Sequence, residues 1–149
     1  MKQVLYYTFF CAIIVAGCNS AESKSPDVEA VIKDSSRYTT IQWLDSSIDF
    51  GSAKMGEMVN IVFRCRNTGS KPLYLYEVRP GCGCTVADYT KTPIAPGKEG
   101  EINAQFDTKK SHPGVVHKTI YFSANNSNTV DSYLKFSGTI LPVDSSQNK

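Results

Sequence analysis

The sequence predicts an all-β domain, a two-layer sandwich of about seven strands, preceded by a signal peptide and a flexible tether. Three observations carry this reading. Over residues 39–142 apolar and polar positions alternate, the period of a half-buried strand, in short runs separated by turn residues about every 8–12 positions. No segment there sustains a helical period, and no internal repeat is present. Composition agrees, because 11% aromatic residues, seven Pro and ten Gly accompany many short runs of Thr and Val. About 100 residues carry the pattern, the size of one immunoglobulin-like unit. The Cys–Trp–Cys arrangement of antibody domains is absent, so the likeness is architectural.

The N-terminus reads as an address. Lys2 supplies a positive start, and Val4 to Gly17 is apolar apart from Thr8. A bilayer span needs ~20 residues, so this run is too short to cross and has the length of a signal-peptide core. It ends in Val15-Ala16-Gly17-Cys18, which resembles the lipobox of bacterial lipoproteins. The resemblance implies cleavage after residue 17, a diacylglyceryl group on the Cys18 sulfur and acylation of the new amine. A single acyl chain holds a protein only marginally, at ~0.8 kcal/mol per buried methylene, whereas two or more anchor it stably. Asn19 follows the cysteine where Asp would signal inner-membrane retention in Gram-negative sorting, which leaves outer-membrane transfer open. Cys11 lies in the part removed. Residues 18–38 are rich in Ser, Glu, Lys and Asp, with Pro26, and are expected to be a polar linker with a short helix signalled around Val28–Lys33.

The strands follow in order. Ile41, Trp43 and Leu44 form a first strand, and Ile48, Phe50 and Gly51 a short second piece. Val59, Ile61, Phe63 and Cys65 alternate with Asn60, Arg64 and Arg66, the clearest half-buried strand of the chain. Asn67-Thr68-Gly69-Ser70 ends it, by the tolerance of Asn and Gly for positive φ. Leu73 to Val78 is a strand without clean alternation, which suggests a bulge or burial on both faces. Gly81-Cys82-Gly83-Cys84 is a tight corner, and Thr85 to Tyr89 a short edge strand. After a Pro93–Gly97 turn, Ile102, Ala104 and Phe106 face inward. So do Ile120 and Phe122 beyond the His112-Pro113-Gly114 turn, and Leu134, Phe136, Gly138 and Ile140 beyond the Asn125–Asn128 loop. Residues 143–149 are a polar tail.

The order Phe50-Gly51, Gly56-Glu57, Phe63, Asn67-Thr68-Gly69, Pro72-Leu73, Cys82-Gly83-Cys84-Thr85, Pro96-Gly97 and Lys118 with Ile120 resembles a bacterial family, domain of unknown function 1573. That family is common in Bacteroidota and often lipid-anchored, and Cys-Gly-Cys-Thr is its most distinctive motif here. It is similar to immunoglobulin-like modules of cilia- and sperm-associated proteins, which act as binding or scaffold units. The resemblance implies a fold and an envelope setting, namely a lipid-anchored protein in the outer membrane of a Gram-negative, Bacteroidota-like bacterium. It implies no biochemical activity.

Residues able to carry chemistry are few. Cys65 faces inward and reads as a small buried hydrophobe. Its pairing with Cys82 is rejected, because some six to eight strand residues separate them, roughly 20 Å or more. Cys82 and Cys84 have two readings: a local disulfide, closed with the help of unusual φ at Gly83, or a two-thiolate soft-metal site suited to Cu(I). Zinc would need more ligands, which His112, His117, Met55 and Met58 do not visibly supply. Tyr74, Tyr76 and Tyr89 are expected beside this corner as interface residues or packing pairs. Net charge is +2 with 20% charged residues, which gives no electrostatic case for nucleic acid. No phosphate loop or nucleophile–base motif appears, so no enzyme and no cofactor are expected. The expected function is a membrane-anchored, non-enzymatic binding or scaffold module with an envelope protein partner. The alternative is an envelope thiol site at Cys82/Cys84 for copper binding or disulfide chemistry.

Overall fold

The structure, a computed structural model, describes residues 28–128 and 132–143. The signal peptide, Cys18 and the tail beyond Val143 lie outside the described residues. Alternation in the sequence becomes eight strands: β1 (Ile41–Trp43), β2 (Ser47–Lys54), β3 (Met58–Asn67), β4 (Leu75–Pro80), β5 (Thr85–Tyr89), β6 (Glu99–Asp107), β7 (Gly114–Ala124) and β8 (Tyr133–Leu141). They form two four-stranded sheets, ordered β1-β3-β6-β5 and β2-β8-β7-β4. All pairings are antiparallel except β2 with β8. The two inner faces close on one core, so the all-β, immunoglobulin-like sandwich holds, with one strand more than expected.

The core follows the period. Along β3, Ile61, Phe63 and Cys65 are buried and Val62, Arg64 and Arg66 exposed. Ile102, Ala104 and Phe106 on β6 face Ile120, Phe122, Leu134, Phe136 and Ile140 from the other sheet. Phe50, Phe106 and Phe136 form a tilted aromatic cluster, and Trp43 meets Phe122 edge-on at 4.8 Å across the layers. Val59, expected in the core, is only half-buried, because it lies at the open end of β3.

Four departures have physical causes. The piece at Ile48–Gly51 is a full eight-residue strand; a register shift between Asp49 and Ser52 reverses the inward phase, which hides its length from a period-two reading. Gly51 sits there at φ 73°, and its N–H donates to Asp49 Oδ1. The strand expected at Leu73 starts at Leu75. Leu73 instead exchanges backbone hydrogen bonds with Ile94 in the β5–β6 connection, whereas Leu75 pairs with Ala124 on β7, so the chain changes layer between the two leucines. Asn67 and Gly69 do not adopt positive φ. Asn67 is fully buried and works through its amide, while a Cβ on Gly69 would lie 2.1 Å from Thr39 Oγ1. Finally, the linker expected over 18–38 is folded in its last part. Val28–Lys33 is a helix (α1) and Ser35–Arg37 a 3-10 turn. Val31 is 2% exposed, Tyr38 Oη donates to Ile32 O, and Asn125 Nδ2 donates to Arg37 O. Residues 28–38, expected to be linker, thus pack against the sandwich through Val31, Arg37 and Tyr38.

Candidate functional site

The Cys82-Gly83-Cys84 corner connects β4 to β5 and so passes from one sheet to the other at one end of the sandwich. Gly81 enters it against β7. Its N–H donates to Thr119 O at 2.8 Å, and an added Cβ would stand 3.0 Å from that same oxygen, a close approach that favours Gly. Cys82 and Cys84 are joined by a disulfide with Cα atoms 5.3 Å apart. Cys84 is buried, its carbonyl accepting from Asp107 N at 2.9 Å, and Cys82 is half-buried against the core. The Thr85 hydroxyl lies 3.7 and 3.9 Å from the two sulfurs. Gly83 does not have positive φ, and a Cβ there would meet nothing within 4 Å, so the ring closes without the unusual backbone expected of it.

In this state neither sulfur is a thiolate, and a soft metal would need the disulfide reduced first. Among the described residues no three of His, Cys, Asp and Glu gather as a ligand set. Cys65 is free and buried; burial pushes its thiol up to about 11, which makes it inert. It pairs with Gly100 near the end of β3, whereas Cys84 bonds Asp107, the residue opposite Met58 at the start of β3. Seven strand residues, roughly 20 Å, separate these ends.

The three tyrosines are not beside the corner. Tyr74 precedes β4 and Tyr89 ends β5, so the two arms leading away from the disulfide carry them to the other end. Six residues of β4 amount to roughly 20 Å. Tyr89 Oη donates to Tyr76 O at 3.0 Å and its ring packs on the core, with Lys91 Nζ 3.3 Å from its centroid. Tyr74 instead joins Val31, Arg37, Lys71 and Pro72 around a cleft of about 220 Å³ where α1 meets the sandwich. The expected position beside the corner does not hold, because strand direction after a corner cannot be read from composition.

Two tyrosines that no motif marks lie on the outer face of the β2-β8-β7-β4 sheet. Tyr121 and Tyr133 face each other on β7 and β8, are 45% and 38% exposed, and are the exposed aromatics among the described residues. The available signal was their position between inward-facing neighbours, Ile120 and Phe122 for one and Leu134 for the other.

The fold and this site define a small immunoglobulin-like, PapD-like β-sandwich whose sheets are bridged by a disulfide-closed corner. Residues 41–140 match the family model described as Protein of unknown function (DUF1573), and the chain belongs to that family. No curated protein matches the sequence. Among solved structures it is similar to a protein of unknown function from Porphyromonas gingivalis W83, with TM-score 0.62 and 19% identity over 71% of this chain; this chain spans about half, 49%, of that one. It is also similar to the ASH / PapD-like domain 7 of human CEP192, with TM-score 0.54 and 11% identity over 72% of this chain and 89% of that one. A third likeness is to the periplasmic chaperone SfaE, with TM-score 0.50 and 12% identity over 69% of this chain and 59% of that one. At these identities the likeness is one of fold.

Proposed function

We propose that this protein is a non-enzymatic binding or scaffold module of the cell envelope, held by lipid on Cys18 to the outer membrane of a Gram-negative bacterium and engaging an envelope protein partner. The observation that supports it is the division of the chain. A short apolar run ending in Val15-Ala16-Gly17-Cys18 precedes, in sequence, a sandwich with its core closed between two sheets. Such a body offers rigid faces and end loops, the parts of a scaffold that carry recognition. Replacing Cys18 by Ala should release the protein from membranes or leave an unprocessed precursor. A variant that fractionates and migrates like the parent would overturn the anchor. Cross-linking in native cells should then capture a specific envelope protein, and loss of that product from the released variant would tie partner to anchor.

One observation favours a second reading, thiol–disulfide exchange at the corner. Cys82 is the more exposed of the bonded pair, so an incoming thiolate of a dithiol protein would bond Cys82 Sγ and Cys84 would leave as the thiolate. Incubation in a glutathione buffer poised near the envelope potential, followed by thiol counting, tests it. A disulfide that stays closed across that range removes this reading, and the Cu(I) site with it.

A further inference from the structure

The two outer faces of the sandwich differ in how their charges are used. On the β1-β3-β6-β5 side cations have carboxylate partners, with Arg64 on Asp45 at 2.8 Å, Arg66 on Glu99 at 2.6 Å and Lys91, which also lies over the Tyr89 ring, on Asp88 at 2.9 Å. On the β2-β8-β7-β4 side they are stacked on aromatic rings. Arg79, Tyr121 and Tyr133 stand in register across β4, β7 and β8, with Lys135 and Thr119 paired in the next outward row. Arg79 Cζ is 5.8 Å from the Tyr121 centroid and Lys135 Nζ 5.0 Å from that of Tyr133. Among the described residues neither cation has a carboxylate partner. Glu77, which lines the same cleft as Arg79, accepts from Ser123 Oγ at 3.3 Å. A cleft of about 150 Å³ opens beside Arg79 and Tyr121, and one of about 290 Å³ beside Thr119, Lys135 and Ser137.

We propose that this face binds an acidic oligosaccharide, its sugar rings against Tyr121 and Tyr133 and its carboxylates on Arg79 and Lys135. Aromatic rings take the C–H-rich faces of sugars while Ser and Thr hydroxyls exchange hydrogen bonds with theirs. Charge-assisted bonds from unpaired cations then select the acidic form. Stacking over a ring holds each cation in place before the ligand arrives, which lowers the ordering cost of binding. The three-strand row spans roughly 10 Å at the usual strand spacing, a length suited to a short chain lying across it. A bare phosphate would use the cations and leave the paired tyrosines without a role.

The inference rests on the reading as a binding module and names its ligand class. The test is calorimetric titration of the purified full-length protein with tetragalacturonate and with a hyaluronan tetrasaccharide, using the methyl-esterified galacturonate as the neutral control. At least one acidic tetramer should bind, and the ester at least tenfold more weakly. Tyr121→Ala/Tyr133→Ala should weaken acidic binding at least tenfold. Arg79→Gln/Lys135→Gln should do the same while leaving the ester unchanged. All four side chains point outward, so unfolding midpoints should match the parent's; if the double tyrosine variant fails to fold, Tyr133→Ala alone takes its place. No binding of either acidic tetramer at millimolar concentration overturns the proposal. So does binding that survives the tyrosine substitution, or equal displacement by inorganic phosphate. A protein partner captured in cells without any saccharide binding would overturn the ligand class and leave the module reading standing.

Discussion

Asn67 should be among the most sensitive polar positions of the protein. Its side chain is 0% exposed and makes four hydrogen bonds, the full capacity of an amide. Nδ2 donates to Lys71 O at 2.7 Å and Ile94 O at 2.8 Å, while Oδ1 accepts from Thr39 Oγ1 at 3.0 Å and Gly69 N at 3.1 Å. These bonds tie the end of β3 to Thr39, ahead of β1, to the β3–β4 connection and to the Leu73–Ile94 bridge where the chain changes layer. At ~1 kcal/mol net per bond, Asn67→Ala should cost ~4 kcal/mol, a large part of the stability of one small domain. Asn67→Asp keeps the shape but loses both donations and turns a carboxylate towards two carbonyl oxygens. Burial and those carbonyls raise the folded-state pKa of the new carboxyl, whose protonated form restores one donor. With a raised folded value, its stability contribution is full below the unfolded carboxylate range near ~3.9 and is lost as pH rises through the folded value. The deficit of Asn67→Asp relative to the parent should therefore be smaller at pH 4 than at pH 8. Urea unfolding of both variants at the two pH values measures it. A cost below ~1 kcal/mol for either variant at pH 8, or a pH-independent deficit for Asn67→Asp, would refute the reasoning.

Other outcomes follow from the packing. Phe63→Ala should cost ~3–5 kcal/mol through a core cavity, and Arg64→Ala at the next, exposed position less than ~1 kcal/mol; equal urea midpoints would contradict the observed face. Gly138→Ala would drive a Cβ to 2.4 Å from the Phe50 ring and should cost ~1–3 kcal/mol, whereas Gly83→Ala meets open space and should leave both the unfolding midpoint and the thiol count unchanged. Cys82→Ser/Cys84→Ser should retain its circular dichroism spectrum and unfold only slightly earlier, because so small a ring constrains the unfolded chain little; unfolding at ordinary temperature would make the corner structural. Because burial lifts the Cys65 thiol from 9.0 to about 11, the folded state keeps a proton the unfolded chain sheds, so this stabilisation is full below pH 9 and falls as pH rises towards 11. Cys65→Ala should flatten that part of the stability–pH curve, and an unchanged slope would count against it.

The sequence by itself determined the all-β class, the inward faces of β3, β6, β7 and β8 and the edge position of β5. Those are local properties: alternation with period two decides a strand's buried face before any partner is known, and Phe63 or Leu134 has nowhere else to go. The bulge at Asp49–Ser52 and the layer change between Leu73 and Leu75 were illegible, because each breaks the alternation that reveals a strand. The role of Asn67 was also illegible, since an amide that saturates four bonds from distant segments looks in sequence like any turn Asn. The corner was visible as Cys-Gly-Cys, but the displacement of Tyr74, Tyr76 and Tyr89 from it depended on β4 and β5 leading away from the corner in different sheets. Only the tertiary structure brought Arg79, Tyr121, Tyr133 and Lys135 onto one face. These residues are spread over more than fifty positions, and their register is set by hydrogen bonding between strands, which no local pattern encodes.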